Sequence, residues 1–302
     1  MKKTNLSRLF AGMLLLLFLL PASAPAEEAS PLPRTEYAFS GKLKRSYESP
    51  SLIYTVETFR QEKVLCYLTK IWMQDPARQI RKATSSWKKN IMLPVHMAQK
   101  IPEAALVING SGYVSPTYPW IPEDYPGIGK DYFYTPLGSL TVTDGEVFRN
   151  LEGIPYSGLT LEADGLHMYT AEDNEKVLAA HPSQTWSFYV ECPMIREGQI
   201  LTPEDWDFAA RPARRTVIAR TDANNYLILT VTNDGGPGLT LHQVNAFFLE
   251  NFSPEWVYDL DGGPSSALLC RKRGGKKMVT LMGGSAKDAD IMAFTELPEE
   301  TP

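Results

Sequence analysis

The stretch from residue 215 to residue 271 constrains this chain most, because β-rich runs and one capped helix alternate there with glycine loops. Arg215 to Arg220 (RTVIAR) and Tyr226 to Thr232 (YLILTVT) are rich in β-branched and apolar residues, and the TDANN between them is turn chemistry. They read as a hairpin. With its turn centred near Ala223, Arg215 stands opposite roughly Val231. After the loop Asn233 to Gly238 (NDGGPG), Thr240 and Gln243 form a capping box, and Leu241, Val244, Phe247 and Phe248 make a helical stripe. Trp256 to Leu260 is a further strand, ending in Asp261-Gly262-Gly263-Pro264-Ser265-Ser266. Leu268 to Arg271 and Met278 to Met282 read as a closing hairpin. Strand, helix and strand joined by short connections predict a crossover with strands 226–232 and 256–260 parallel. The expected fold class is therefore α+β: a central mixed β-sheet with a parallel β-α-β crossover and flanking helices.

The earlier chain fits around that unit. Ile53 to Phe59 and Val64 to Trp72 read as strands, Ala77 to Trp87 and Met92 to Gln99 as short helices, and Ala104 to Ile108 as a buried strand. Asp75-Pro76 supplies an N-cap and a first-turn proline. Residues 114–135 form a long Pro-, Tyr- and Gly-rich loop, and 137–200 alternate short strands with turns. At the N-terminus Lys2, Lys3 and Arg8 precede a twelve-residue apolar run, Leu9 to Leu20, and an Ala24-Pro25-Ala26 cleavage signature. The expected organisation is a signal peptide at 1–26, a polar leader at 27–50 and a single domain at 51–302. No membrane span remains after cleavage, and the mature protein is expected to be secreted, periplasmic or on the cell surface.

Composition narrows the function classes. A hydrophobic content of 43% is enough for a packed core. The net charge is −5, and removing Lys2, Lys3 and Arg8 takes it to −8. A nucleic-acid binder needs a basic excess or stripe, so nucleic acid is excluded as a partner. The basic cluster from Arg271 to Lys277 reads as a solvated hairpin turn. Cys66, Cys192 and Cys270 are an odd number, which leaves at least one thiol free, and no C-x-x-C pair suggests zinc. His96, His167, His181 and His242 are scattered. No metal ligands and no cofactor are expected, with room left for a structural cation near Asp261.

Crevices outside the carboxyl ends of strands bind ligands in open α/β sheets. The crossover would bring Asn109, Arg215, Asp234 and Asp261 to one such edge. Asp261 and Asp234 form the candidate catalytic pair, because glycoside hydrolysis commonly uses two carboxylates. Gly262, Gly263, Ser265 and Ser266 offer backbone N–H groups and hydroxyls suited to a phosphate oxygen. Arg215, with the adjacent Thr216, offers a fork of donors to the same anion, and Asn109-Gly110 an amide to orient a sugar or phosphate. Each has a plain structural alternative: a tight turn at Asp261, an ion pair at Arg215, loop chemistry at Asp234 and a left-handed turn at Asn109-Gly110.

The strings LVINGSGY (106–113), RRTVIAR (214–220), NDGGPGLTLHQV (233–244) and VYDLDGGPSSALL (257–269), in this order, resemble the phosphodiester glycosidase family. The likeness spans roughly residues 60–295. It implies an α+β fold around a mixed sheet, hydrolysis of a sugar-1-phosphodiester, and a carbohydrate or sugar-phosphate ligand in the cell envelope. Three departures stand out. Ser111-Gly112-Tyr113 delays an aromatic by one position, Pro264 replaces a glycine, and His242-Gln243 stand where the family often has Glu. Two functions follow: a secreted phosphodiester glycosidase, or a non-catalytic envelope module that binds sugar-phosphate without cleaving it.

Overall fold

The computed structural model describes residues 37–87, 90–113, 134–188, 192–272, 275 and 277–298. The expected signal peptide, and all but the end of the loop at 114–135, lie outside the described residues. The strands are β1 (Lys42–Glu48), β2 (Leu52–Gln61), β3 (Val64–Met73), β4 (Ile80–Thr84), β5 (Ala104–Asn109), β6 (Leu140–Thr143), β7 (Glu146–Asn150), β8 (Tyr156–Glu162) and β9 (Gly165–Glu172). They continue as β10 (Gln184–Trp186), β11 (Pro193–Arg196), β12 (Gln199–Ile200), β13 (Arg215–Arg220), β14 (Asn225–Val231), β15 (Trp256–Asp259), β16 (Ala267–Arg271), β17 (Met278–Gly283) and β18 (Asp290–Thr295). Helices are short: α1 (Pro76–Gln79), α2 (Pro94–Ala98), α3 (Asn174–Ala179), α4 (Asp207–Ala210) and α5 (Leu241–Asn251). β1 falls inside the segment read as a polar leader.

The described residues form three sheets, with strand orders β1-β2-β3-β14-β13-β15-β11-β12, β7-β6-β10-β8-β9 and β17-β16-β5-β18-β4. Every ladder between these strands is antiparallel. The expected α+β class, with its mixed sheet and parallel crossover, is thus corrected to a β-rich antiparallel fold. The hairpin turn is the cause. The Asp222 carboxylate accepts from the N–H groups of Asn224 (2.9 Å) and Asn225 (3.0 Å), which pins β13 directly beside β14. The other edge of β13 then takes β15, Val217 opposite Asp259. So β14 and β15 run the same way but never touch, and β13 lies between them. The hairpin register is as expected, Arg215 opposite Val231.

The misreading has a physical source. β14 is buried on both faces along its whole length, and a strand covered on both sides reads as the continuous apolar run typical of parallel sheets. One face (Leu227, Leu229, Val231) packs with Val64, Cys66 and Val217 against Leu241, Val244, Phe247 and Phe248 of α5. The other (Tyr226, Ile228) joins the central core with Leu106 and Ile108 of β5, Leu268 of β16 and Phe294 of β18. The capping box on α5 is present: Gln243 N–H donates to the Thr240 hydroxyl (3.1 Å) and Thr240 N–H to the Gln243 side chain (2.8 Å). The four buried apolar side chains of α5 contribute roughly 6–12 kcal/mol of gross burial energy. The helix expected over 77–87 stops at Gln79, where Ile80–Thr84 pairs instead with β18. α2 sits within the helix expected at 92–99, and the Ala104 to Ile108 strand is buried throughout.

Candidate active site

The carboxyl ends of β5 and β15 and the start of β16 meet through one side chain. Asn109, fully buried, donates from Nδ2 to the Asp261 carbonyl (2.6 Å). Its Oδ1 accepts from the Thr216 hydroxyl (2.8 Å) and the Ala267 N–H (3.0 Å). Asp261 N–H in turn donates to the Gly110 carbonyl (3.1 Å). Asn109 and Thr216 are therefore brackets that hold the Asp261 loop, and their polar groups are turned inward. Gly110 is required by close approach, since a Cβ there would collide with Asp290 Oδ1.

Asp261 opens onto a cavity of about 510 Å³. Tyr113, Phe188 and Phe208, with Leu137 and Pro264, give it an apolar wall, and Phe188 and Phe208 meet edge to face at 5.8 Å. Gly262, Gly263 and Ser265 line it beside Asp261, and Arg211 lies exposed at its rim. Burial pushes the Asp261 carboxyl up to about 7, helped by the Asp259 and Asp290 charges and opposed by the Ser265 hydroxyl and the Gly262 N–H.

The loop amides do not form an open anion nest. Gly262 N–H donates to the Asp261 carboxylate (2.8 Å), Gly263 N–H to the Arg214 carbonyl (2.9 Å), and Ser265 and Ser266 N–H to the Gly262 and Gly263 carbonyls. Arg215 lines the cavity yet is buried. Its guanidinium faces the Asp259 carboxylate (3.4 Å), donates to the Phe208 and Arg211 carbonyls (3.2 and 2.9 Å) and lies 4.6 Å from the Phe208 ring centre. Burial carries Asp259 up to about 7, against the pull of Arg215. Arg215 holds the aromatic wall rather than presenting its fork to the cavity.

Asp234 is not brought to Asp261. Its strand is two strands from β15, roughly 10 Å across the sheet, and its carboxylate is solvent-exposed beside Arg60 at 3.5 Å. No residue of α5 lines the cavity, so a carboxylate at 242 or 243 would not face it. Gln243 instead caps the helix and donates to Glu62 (2.6 Å).

Two further acids near Asp261 that reading the sequence missed lie at and just before the start of β18. Asp288 is buried and neither oxygen finds a well-formed hydrogen bond. Burial first, then the neighbouring Asp261 charge, pushes its carboxyl well above the usual range, opposed by the Ser265 hydroxyl. Asp290 accepts from Ser111 N–H (2.7 Å) and pairs with Lys82 at 3.2 Å, both fully buried. Burial lowers the Lys82 pKa, against the Asp290 charge. Aspartates bounding an apolar strand (DADIMAFT) were the signal available in the sequence.

An acid-floored, aromatic-walled cavity thus lies where the ends of β5, β15 and β16 converge. The family model for phosphodiester glycosidases matches residues 102–290, and the chain belongs to that family. Its fold is similar to the catalytic domain of zebrafish N-acetylglucosamine-1-phosphodiester alpha-N-acetylglucosaminidase, auto-inhibited by its pro-peptide, at 17% identity and TM-score 0.58, over 87% of this chain and 88% of that one. A hypothetical protein from Synechocystis shares the fold at 11% identity and TM-score 0.51, over 82% of this chain and 62% of that one. No curated protein matches the sequence. Among the described residues, no helix is long and apolar enough to cross a membrane.

Proposed function

We propose that this protein is an exported hydrolase that cleaves a sugar-1-phosphodiester in an envelope glycan or glycoconjugate. The observation that carries the reading is the Asp261 carboxyl, tuned to about 7 at the floor of an aromatic-walled cavity. A group titrating there exchanges a proton with a reacting oxygen near neutral pH. The aromatic wall packs against the sugar ring, and Arg211 at the rim supplies charge to the phosphate. A phosphate monoester is a good leaving group that needs little acid assistance, so Asp261 serves the attacking water: water oxygen bonds to the sugar C1, the C1–O bond to phosphate breaks, and the water proton passes to Asp261. Burial and the neighbouring Asp261 charge raise the Asp288 carboxyl, which disfavours a second negative charge there. The export signal at 1–26 supports an envelope location.

The rival reading is capture without turnover. It is favoured by the fact that Asp261 is the sole carboxylate lining the cavity among the described residues. Asp261→Asn separates the two. In the hydrolase, kcat on a sugar-1-phosphodiester falls at least ~10²-fold while the melting temperature holds, and the wild-type pH profile bends near 7. If the wild type releases no sugar yet retains the ligand, the binding module is right.

A further inference from the structure

We propose that the groove between β1 and the β16–β17 hairpin is a second binding site, taking the anionic backbone of a phosphate-bearing glycan chain. The groove encloses about 990 Å³. It is bounded by two terminal strands, β1 of the eight-stranded sheet and β17 of the third sheet. Among the described residues its lining carries four cations, Lys44, Arg45, Arg271 and Lys272, and one acid, Glu48, with Glu296 paired to Arg271 at the floor. On a chain of net charge −5, that is a local reversal of sign.

Floor and rim differ in character. Arg271 is fixed in the floor, donating to the Ala104 carbonyl (3.1 Å), the Tyr47 hydroxyl (3.2 Å) and Glu296 (3.1 Å). The Tyr47 and Tyr54 rings stack beside it, centres 5.2 Å apart and 7° from parallel. Lys44 and Lys272 on the rim are exposed, and among the described residues neither enters an ion pair. Charged residues along an edge strand also discourage pairing with another chain. Edge protection alone, however, requires neither a pre-ordered aromatic floor nor cations contributed from two separate sheets.

The choice of a glycan chain rests on the function proposed above. β16 links the two places: Ala267 touches the Asn109 bracket, and Arg271 lies four residues on, roughly 14 Å away. A polymer with repeating phosphates can engage the groove while one of its linkages enters the cavity. The second contact then raises effective concentration at the first.

The test uses purified Asp261→Asn protein, with and without Lys44→Ala/Lys272→Ala, titrated with three probes: a glycosyl-phosphate polymer, polygalacturonate and poly-glutamate. The expected result is binding of the glycosyl-phosphate polymer that weakens about 10-fold in the double variant and fades in high salt. Polygalacturonate bound equally well would overturn the assignment of a phosphate-bearing chain. Equal affinity with and without the lysines, no polymer binding, or a preference for poly-glutamate would overturn the proposal, the last in favour of a protein partner. In otherwise wild-type protein, the double variant should raise KM for the polymer and leave a small sugar phosphodiester untouched. If nothing is hydrolysed, the titrations still judge the groove, so failure of the catalytic reading and failure of the groove are distinguishable.

Discussion

Asn109 is the sharpest place to separate architecture from chemistry. Its side chain makes three buried hydrogen bonds, to the Asp261 carbonyl, the Thr216 hydroxyl and the Ala267 N–H. Asn109→Ala strips all three at once and leaves their partners in a dry environment. A buried polar group without a partner costs about 1–3 kcal/mol, and relaxation spares part of it, so the loss should be roughly 3–6 kcal/mol. For a domain of this size each kcal/mol moves the melting temperature about 2–4 °C, giving a fall of roughly 6–24 °C. Asn109→Asp tests the geometry more finely. It keeps the shape and the acceptor, but replaces the donor to Asp261 with a second acceptor facing a carbonyl, so it should also destabilise. Chemical denaturation with both variants, alongside turnover, is the assay. A bracket lowers stability first and activity in proportion to the disturbed Asp261 loop. If Asn109→Ala melted like the wild type while ligand affinity collapsed, the amide would be touching ligand, and the bracket argument would be wrong.

Two further outcomes follow. Asp259 and Asp261 have folded pKa values raised from 3.8 to about 7, and Asp288 is raised too. Between those values the folded state holds more protons than the unfolded chain, so these groups lower stability as pH rises from about 4 to about 7. The protein should melt higher at pH 5.5 than at pH 8 by differential scanning fluorimetry, and the reverse order would refute the assignment of raised pKa values. Export is checked by intact mass of protein recovered outside the cytoplasm: cleavage after Ala26 should leave Glu27 as the first residue, whereas a retained hydrophobic segment would rule out cleavage.

Local chemistry was legible wherever a short run decides its own structure. The 221–225 turn, the Thr240–Gln243 capping box, the buried strand at 104–108 and the Arg215–Val231 register all follow from neighbouring residues. What depends on distant pairing was not. Nothing between 226 and 260 says that β13 will insert between β14 and β15, because both faces of β14 are covered whether its neighbours are parallel or antiparallel. The site shows the same division. Asp261 was legible from its glycine-flanked loop after a strand, and it does line the cavity. Asp234 was chosen through the parallel crossover, and lost its place once that crossover dissolved. Asp288 and Asp290 reach the site through β18, whose pairing with β4 and β5 spans most of the chain.

The arrangement of charges ties these observations together. Two buried aspartates near Asp261 have cationic neighbours, Asp259 with Arg215 and Asp290 with Lys82, and each pair holds a different part of the cavity. Asp259–Arg215 fixes the Phe208 wall, and Asp290–Lys82 fixes the Ser111 backbone. Among the described residues Asp288 enters no ion pair, and burial with the Asp261 charge raises its carboxyl. Breaking a buried pair by removing one member costs about 3–5 kcal/mol, so each pair resists movement of the wall it holds. The result is a floor acid that loses water without gaining a cation of its own. Burial decides the direction in both neighbouring acids: Asp259 stands at about 7 even with Arg215 at 3.4 Å, and Asp261 reaches about 7 with no cation beside it among the described residues. The Arg215 fork, engaged with Asp259 and two backbone carbonyls, therefore serves the Phe208 wall, while burial is what holds the Asp261 carboxyl near 7.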